Sequence, residues 1–191
     1  MLEVGIVVFN KVEELDFIGP FETISYLNKL HPNAVTVKLV AESLNPVRAF
    51  NGLNFIPDAT FCCEHQYDIV IVPGGAGRKQ AMFNKSILDF IKRQAPQAKY
   101  ICSVCTGAFI LAETGLVDGL TATTHYTALE ELAANYKNIT VLPKRVIKND
   151  KYWFAAGISS GIDLSLELIK EIFSEKDQME IAQRLEYTPQ I

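Results

Sequence analysis

The chain has 191 residues, 49% hydrophobic and 21% charged, with a formal net charge of −4 and a pI near 5.4. That length can bury one sizeable core, and the acidic balance argues against a phosphate-binding surface, and so against nucleic acid as a partner. No apolar run approaches the ~18–20 uncharged residues that cross a bilayer, and the opening "MLEVGIVVF" has an acid and no basic n-region. It reads as a buried strand, not a signal peptide, so the expected location is cytoplasmic, with no membrane contact.

Strand-like and helix-like patterns alternate along the chain. "VGIVVF" (4–9) is a continuous β-branched run suited to a strand buried on both faces. A helix is predicted from Gly19 to Leu30, with Phe21, Ile24 and Leu27 at helical spacing and Pro20 in its first turn. "VTVKLVA" (35–41) is the next strand, and the stretch 46–61 around Asn51-Gly52 suggests a small hairpin. "DIVIVPGG" (68–75) is another buried strand, ending in glycines.

A helix over 86–95, a strand over 100–104 and a helix over 106–115, closed by Gly115, come next. The last third carries a strand at 121–124, a helix near 127–136, strand pieces at 139–149 and 152–156, and helices at about 160–173 and 175–187. "PKRVIK" (143–148), the most basic run, reads as a solvated strand edge. With no repeat, linker or low-complexity tract, residues 1–191 are expected to form one α/β domain. Its sheet should be mostly parallel, with helices on both faces.

The four cysteines, Cys62, Cys63, Cys102 and Cys105, do not suit a secreted disulfide framework in a chain this long. If 100–104 is extended, the Cα atoms of Cys102 and Cys105 lie up to ~10 Å apart, against the ~4.4–6.8 Å of a disulfide. Cys102 then belongs to the strand and points into the core. A zinc site joining this pair to Cys62, Cys63 and His65 has poor spacing, because vicinal cysteines chelate one ion badly. No metal is expected, and Cys62 and Cys63 are read as buried or half-buried packing groups. Cys105 suits a third arrangement: a strand, a sharp turn bearing the reactive atom, then a helix. A thiol there feels the positive end of the helix dipole, which favours thiolate. A plain buried cysteine is the competing reading.

Other segments end strands on the same face. Asp16 falls in the loop after the first strand, as a helix cap or as a buried carboxyl passing protons to the thiol. "VPGGAG" (72–77) lacks the lysine and hydroxyl of a phosphate-binding loop and the spacing of a dinucleotide fingerprint. Its turn could serve only as a turn, or could aim the N–H groups of Gly75 and Ala76 at developing negative charge. His125 follows a strand and is either structural or a pocket residue.

"SVCTGAFILAETGLVDGLTATTHY", with "PGG" upstream, resembles the ThiJ/PfpI superfamily, which has the class I glutamine amidotransferase-like fold. Within it the chain is similar to the isonitrile hydratase branch in "ELDFIGPFE", Cys-Thr-Gly, "ATTH", "AAGISSGIDLSLEL" and "QRLEYTPQ". The resemblance implies a flavodoxin-like three-layer sandwich, a homodimer, and a small-molecule substrate handled without a cofactor. It also implies that Cys105 is the nucleophile on a strained elbow, that Asp16 contacts its thiol, that Thr106 is the hydroxyl beside it, and that Gly75 lines an oxyanion-type pocket. The implied reaction is hydration of an isonitrile to an N-substituted formamide, a lyase activity. Glyoxalase-like chemistry on 2-oxoaldehydes, a cysteine redox sensor and a small-molecule-binding module are the alternatives. Peptidase-like members carry His directly after the cysteine, and Thr106 stands there in this chain. Relatives fused to an AraC-type DNA-binding domain need roughly a hundred further residues, so a complete regulator of that kind is not expected.

Overall fold

The computed structural model describes residues 1–190. Ile191, the last residue of the expected domain, lies outside them. In chain order the first elements are β1 (Leu2–Val7), α1 (Glu14–Ser25), α2 (Leu27–Leu30), β2 (Val35–Ala41), β3 (Val47–Arg48), β4 (Asn54–Phe55) and β5 (Ala59–Thr60). The middle of the chain forms β6 (Ile69–Val72), α3 (Arg78–Ala81), α4 (Lys85–Gln94), β7 (Tyr100–Val104) and α5 (Gly107–Glu113). After β8 (Thr121–Ala122) and a 3-10 turn (Tyr126–Ala128) come α6 (Leu129–Asn135), β9 (Thr140–Val141), β10 (Val146–Lys148) and β11 (Tyr152–Ala155). Helices α7 (Ser160–Ile172) and α8 (Glu175–Arg184) close the described chain.

Seven strands form one sheet in the order β10-β11-β7-β6-β1-β2-β5, parallel throughout except between β10 and β11. Successive side chains of a strand point to opposite faces, and β6 shows the result. Val70 and Val72 pack on one side with Phe90 and Ile91 of α4 and Phe109 of α5, while Ile69 and Ile71 pack on the other with Phe17 of α1, Leu164 of α7 and Ile181 of α8. Two cores therefore flank the sheet in a flavodoxin-like three-layer α/β sandwich. Cys102 is fully buried in register between Ile71 and Trp153, as its place in the strand required. The hairpin around Asn51-Gly52 is the β3-β4 pair, and β10 is the sheet's edge.

Several elements differ from expectation. α1 begins at Glu14, not at Gly19, so Pro20 lies inside it and leaves the Asp16 carbonyl without its helical N–H donor. The helix continues through the proline because Phe17 and Ile24, one on each side of it, are both held in the α7 core. The predicted 121–124 strand shortens to β8, which pairs only with β9, because Thr124 turns its hydroxyl to the Cys105 carbonyl. Cys62 is exposed and Cys63 half-buried. The buried position in that turn goes to Phe61, whose ring lies 5.1 Å from Phe90.

Candidate active site

Strands β7, β6 and β1 are neighbours, and the segments leaving their carboxyl ends meet at the edge where open α/β sheets bind ligands. Cys105, directly after β7, has φ +56° and is only 5% exposed. A non-glycine residue in that region costs about 1–3 kcal/mol and persists only where its surroundings hold it. Here the Cys105 N–H donates to the Ala155 carbonyl at 3.0 Å, and the Thr124 hydroxyl donates to the Cys105 carbonyl at 2.8 Å. Gly107 admits the close crossing of the turn over β6, since a Cβ there would stand 2.0 Å from the Val72 carbonyl oxygen.

Asp16 is fully buried in the first turn of α1, not in the preceding loop. Glu13 occupies the cap position, so capping is not what Asp16 does. Its Oδ2 accepts the Gly74 N–H at 3.0 Å, its Oδ1 has no partner of good geometry, and the Cys105 thiol stands beside the carboxyl. Burial pushes the Asp16 pKa up to about 7; Glu13 adds to the rise, while the Gly74 N–H and the thiol oppose it. The Cys105 thiol is also pushed well above its ordinary value, first by burial and then by the neighbouring carboxylate. Contacts from the Thr106 N–H and hydroxyl pull the other way and are outweighed. The expected thiolate-favouring shift is thus reversed: desolvation exceeds what one short helix end returns. Above a pH of about 7 the pair holds one proton between a carboxyl and a thiol.

Thr106 stands at the N-cap position of α5 but makes no side-chain capping bond; its Oγ1 instead accepts the Gly75 N–H at 3.1 Å. Gly75 has φ +113°, and a Cβ on it would lie 2.3 Å from the Glu13 nitrogen, so only glycine fits the turn. Its N–H is spent on Thr106, and Gly74, which sequence reasoning missed, spends its own on Asp16. Ala76 is exposed, and its N–H donates to nothing among the described residues. His125 is half-buried, its Nδ1 is 2.8 Å from the Thr127 hydroxyl, and no hydrogen bond joins it to Asp16 or Cys105. It lines a cleft of about 500 Å³ with Leu15, Thr123, Thr124, Tyr126 and Ile158. The cleft is lined by the chain neighbour of Asp16, Leu15, and by Thr124, which holds the Cys105 carbonyl, while Asp16 and Cys105 themselves lie behind its walls. Among the described residues no group of three potential metal ligands converges, and Cys62, Cys63 and His65 do not join the Cys102–Cys105 segment.

The model of the DJ-1/PfpI family matches residues 3–171, which is most of the chain and contains every site residue named above. The chain belongs to the DJ-1/PfpI family. This DJ-1/PfpI chain is 37% identical over 188 residues to an isonitrile hydratase of Pseudomonas putida, covering 98% of the chain and 79% of that relative. It is also 29% identical over 145 residues to a transcriptional regulator of Pseudomonas aeruginosa, of which it covers 39%. Among solved structures, a ThiJ/PfpI family protein from Pseudomonas syringae superposes with a TM-score of 0.89 at 29% identity, covering 100% of this chain and 76% of that one. Drosophila melanogaster DJ-1beta superposes with a TM-score of 0.86 at 19% identity over 98% of both chains, a likeness of fold alone. Among the described residues of this DJ-1/PfpI chain, no helix is long and apolar enough to cross a membrane.

Proposed function

We propose that the protein hydrates an isonitrile, R–N≡C, to an N-substituted formamide, with Cys105 as nucleophile and Asp16 as proton carrier. The observation that carries this reading is the buried carboxyl with a pKa of about 7 beside a buried thiol; the 37% identity to an isonitrile hydratase supports it. The isonitrile carbon is an electrophile matched to a soft sulfur nucleophile. With the shared proton on Asp16, the Cys105 sulfur adds to that carbon and the carboxyl delivers the proton to it, leaving the thioimidate Cys–S–CH=N–R. The Asp16 carboxylate then takes a proton from water as the water oxygen adds to carbon, and passes that proton to nitrogen. Cleavage of the C–S bond expels the thiolate, the hydroxyl proton returns to Asp16, and the formamide leaves with the pair restored.

Two additions of moderate difficulty replace one difficult one. Thr106 supports the sulfur as charge returns to it, while Gly74 and Gly75 hold Asp16 and Thr106 in place through their N–H groups. His125 forms part of the pocket wall, and Ala76 borders the turn. A redox sensor needs an exposed, low-pKa thiol, and Cys105 is neither. In the test, purified protein and Cys105→Ala are given cyclohexyl isonitrile and the formamide is followed spectrophotometrically. Formation by the parent alone is expected, and an active Cys105→Ala variant overturns the reading. The expected homodimer is read from the mass in solution.

A further inference from the structure

The basic run 143–148 is only partly a strand edge. β10 begins at Val146, and the three residues ahead of it, Pro143, Lys144 and Arg145, line the cleft of about 500 Å³. That volume lies within the ~300–1,000 Å³ range of small-molecule sites. The ionisable groups on its walls are His125, Tyr126, Lys144 and Arg145, with no carboxyl among the described lining residues. Acids nevertheless outnumber lysine and arginine 22 to 18 in the chain. The cleft is therefore a basic spot on an acidic protein.

Its donors are held in place. Arg145 Nε donates to Asp163 Oδ2 at 2.5 Å, and Asp163 is fully buried and outside the cleft lining. That carboxylate also accepts the Tyr187 hydroxyl at 2.9 Å and the Gln190 N–H at 3.0 Å, so several donors share its charge. Arg145 Nη2 reaches the Ser159 hydroxyl at 3.1 Å, while Nη1 meets no acceptor among the described residues. The His125 Nδ1 accepts the Thr127 N–H, which leaves the ring proton on Nε2. Its ring packs on Gly157, where a Cβ would stand 3.8 Å from Nε2. The short segment 157–159 thus carries Arg145 at one end and His125 at the other. Lys144 is exposed and has no ion-pair partner among the described residues. The remaining wall is apolar: Leu15, Leu129 and Ile158, with the 78% exposed Tyr126.

We propose that this cleft binds a small organic carboxylate, its charged group received by Arg145, Lys144 and the His125 Nε2–H, and its apolar body lying on Leu15, Leu129 and Ile158. A guanidinium fixed on one edge by a buried carboxylate presents its remaining N–H groups in the planar geometry that a second carboxylate accepts. Binding involves no covalent step and does not depend on isonitrile hydration.

The test is titration calorimetry of the unaltered protein with three probes of one shape: cyclohexylacetate, cyclohexylacetamide and cyclohexylethylammonium. The acid should bind one to one and about tenfold or more tighter than the amide, the advantage of charge-assisted hydrogen bonds, and the ammonium should not bind. Raising the salt from about 0.05 to 0.5 M should weaken the acid and leave the amide unchanged. Lys144→Gln should weaken the acid about two- to fivefold, Lys144→Glu further, and Arg145→Lys about tenfold by loss of the fork. Ile158→Ser should weaken acid and amide alike. Lys144 is exposed, so its variants fold whatever Arg145→Lys does, and urea midpoints check each protein. No binding of the acid at millimolar concentration, an amide that binds as tightly as the acid, or an acid affinity unchanged in Lys144→Glu overturns the proposal. None of these results bears on the hydratase reading, which the formamide assay tests separately.

Discussion

Replacing Asp16 by Asn should stabilise the protein, and the gain should grow with pH. The unfolded carboxyl titrates near 3.8 and the folded one at about 7. Between these values the native state holds a proton that the unfolded state has released, so stability falls as pH rises across that window. The full difference corresponds to about 4 kcal/mol forgone above pH 7. Asn occupies nearly the same volume, its oxygen can accept the Gly74 N–H, and it carries no ionisable proton. The thiol contributes nothing to this window, because its native and unfolded values both lie on the alkaline side. Urea denaturation of both proteins from pH 4 to pH 8.5 measures the effect. The two should be nearly equal at pH 4 and separate by about 2–4 kcal/mol by pH 8, a rise in melting temperature of about 4–16 °C for a chain of this size. A difference that does not change with pH, or an Asn variant less stable at pH 8, would refute the argument that burial controls this carboxyl. The same variant should be inactive, so the charge that weakens the fold is the one proposed to move protons.

Other outcomes follow from the same geometry. The kcat/KM of isonitrile hydration should rise with pH through about 7, as the Asp16–Cys105 pair drops from two protons to one, and a limb near pH 4 would contradict the raised carboxyl. Gly75→Ala must place its Cβ 2.3 Å from the Glu13 nitrogen at a φ of +113°, so it should lose at least about 1–3 kcal/mol of stability in chemical denaturation. Thr106→Val leaves the Gly75 N–H without its acceptor and the sulfur without a hydroxyl. It should cut kcat about tenfold while Thr106→Ser retains most of it, measured with cyclohexyl isonitrile. Phe109→Ala empties a fully buried position beneath the Arg78 guanidinium, 3.8 Å above the ring, and should cost about 3–5 kcal/mol in urea midpoints at constant m.

Periodicity made the sheet legible because a strand covered on both faces has nowhere to place a charge. β6, with its run Ile69–Val72, and β7, with Cys102 facing the core, both lie where their apolar runs put them. The start of α1 was not legible, because Glu14, Leu15 and Asp16 resemble a polar loop and Pro20 resembles a helix start. Only packing against α7 shows that the helix runs through the proline. Within the candidate site, the glycine pair and the cysteine after a strand marked the turns. That the Gly74 N–H donates to Asp16 depends on backbone directions that residue identity does not encode. Cys62 misled for a related reason: composition suggests at least partial burial, which Cys63 shows, but Phe61 takes the fully buried position of that turn and Cys62 is left exposed.

Alternating apolar runs, the turn glycines and the placement of Cys105 between a strand and a helix are local properties, and the amino-acid order alone determined them. The proton balance of the site was decided in three dimensions. A carboxyl has an ordinary pKa in water, and the Asp16 value departs from it because β1, β6 and β7 bring their ends together and close solvent out. The helix dipole that favours thiolate was readable from the chain order. The desolvation that outweighs it arises only when segments distant in sequence enclose the same sulfur.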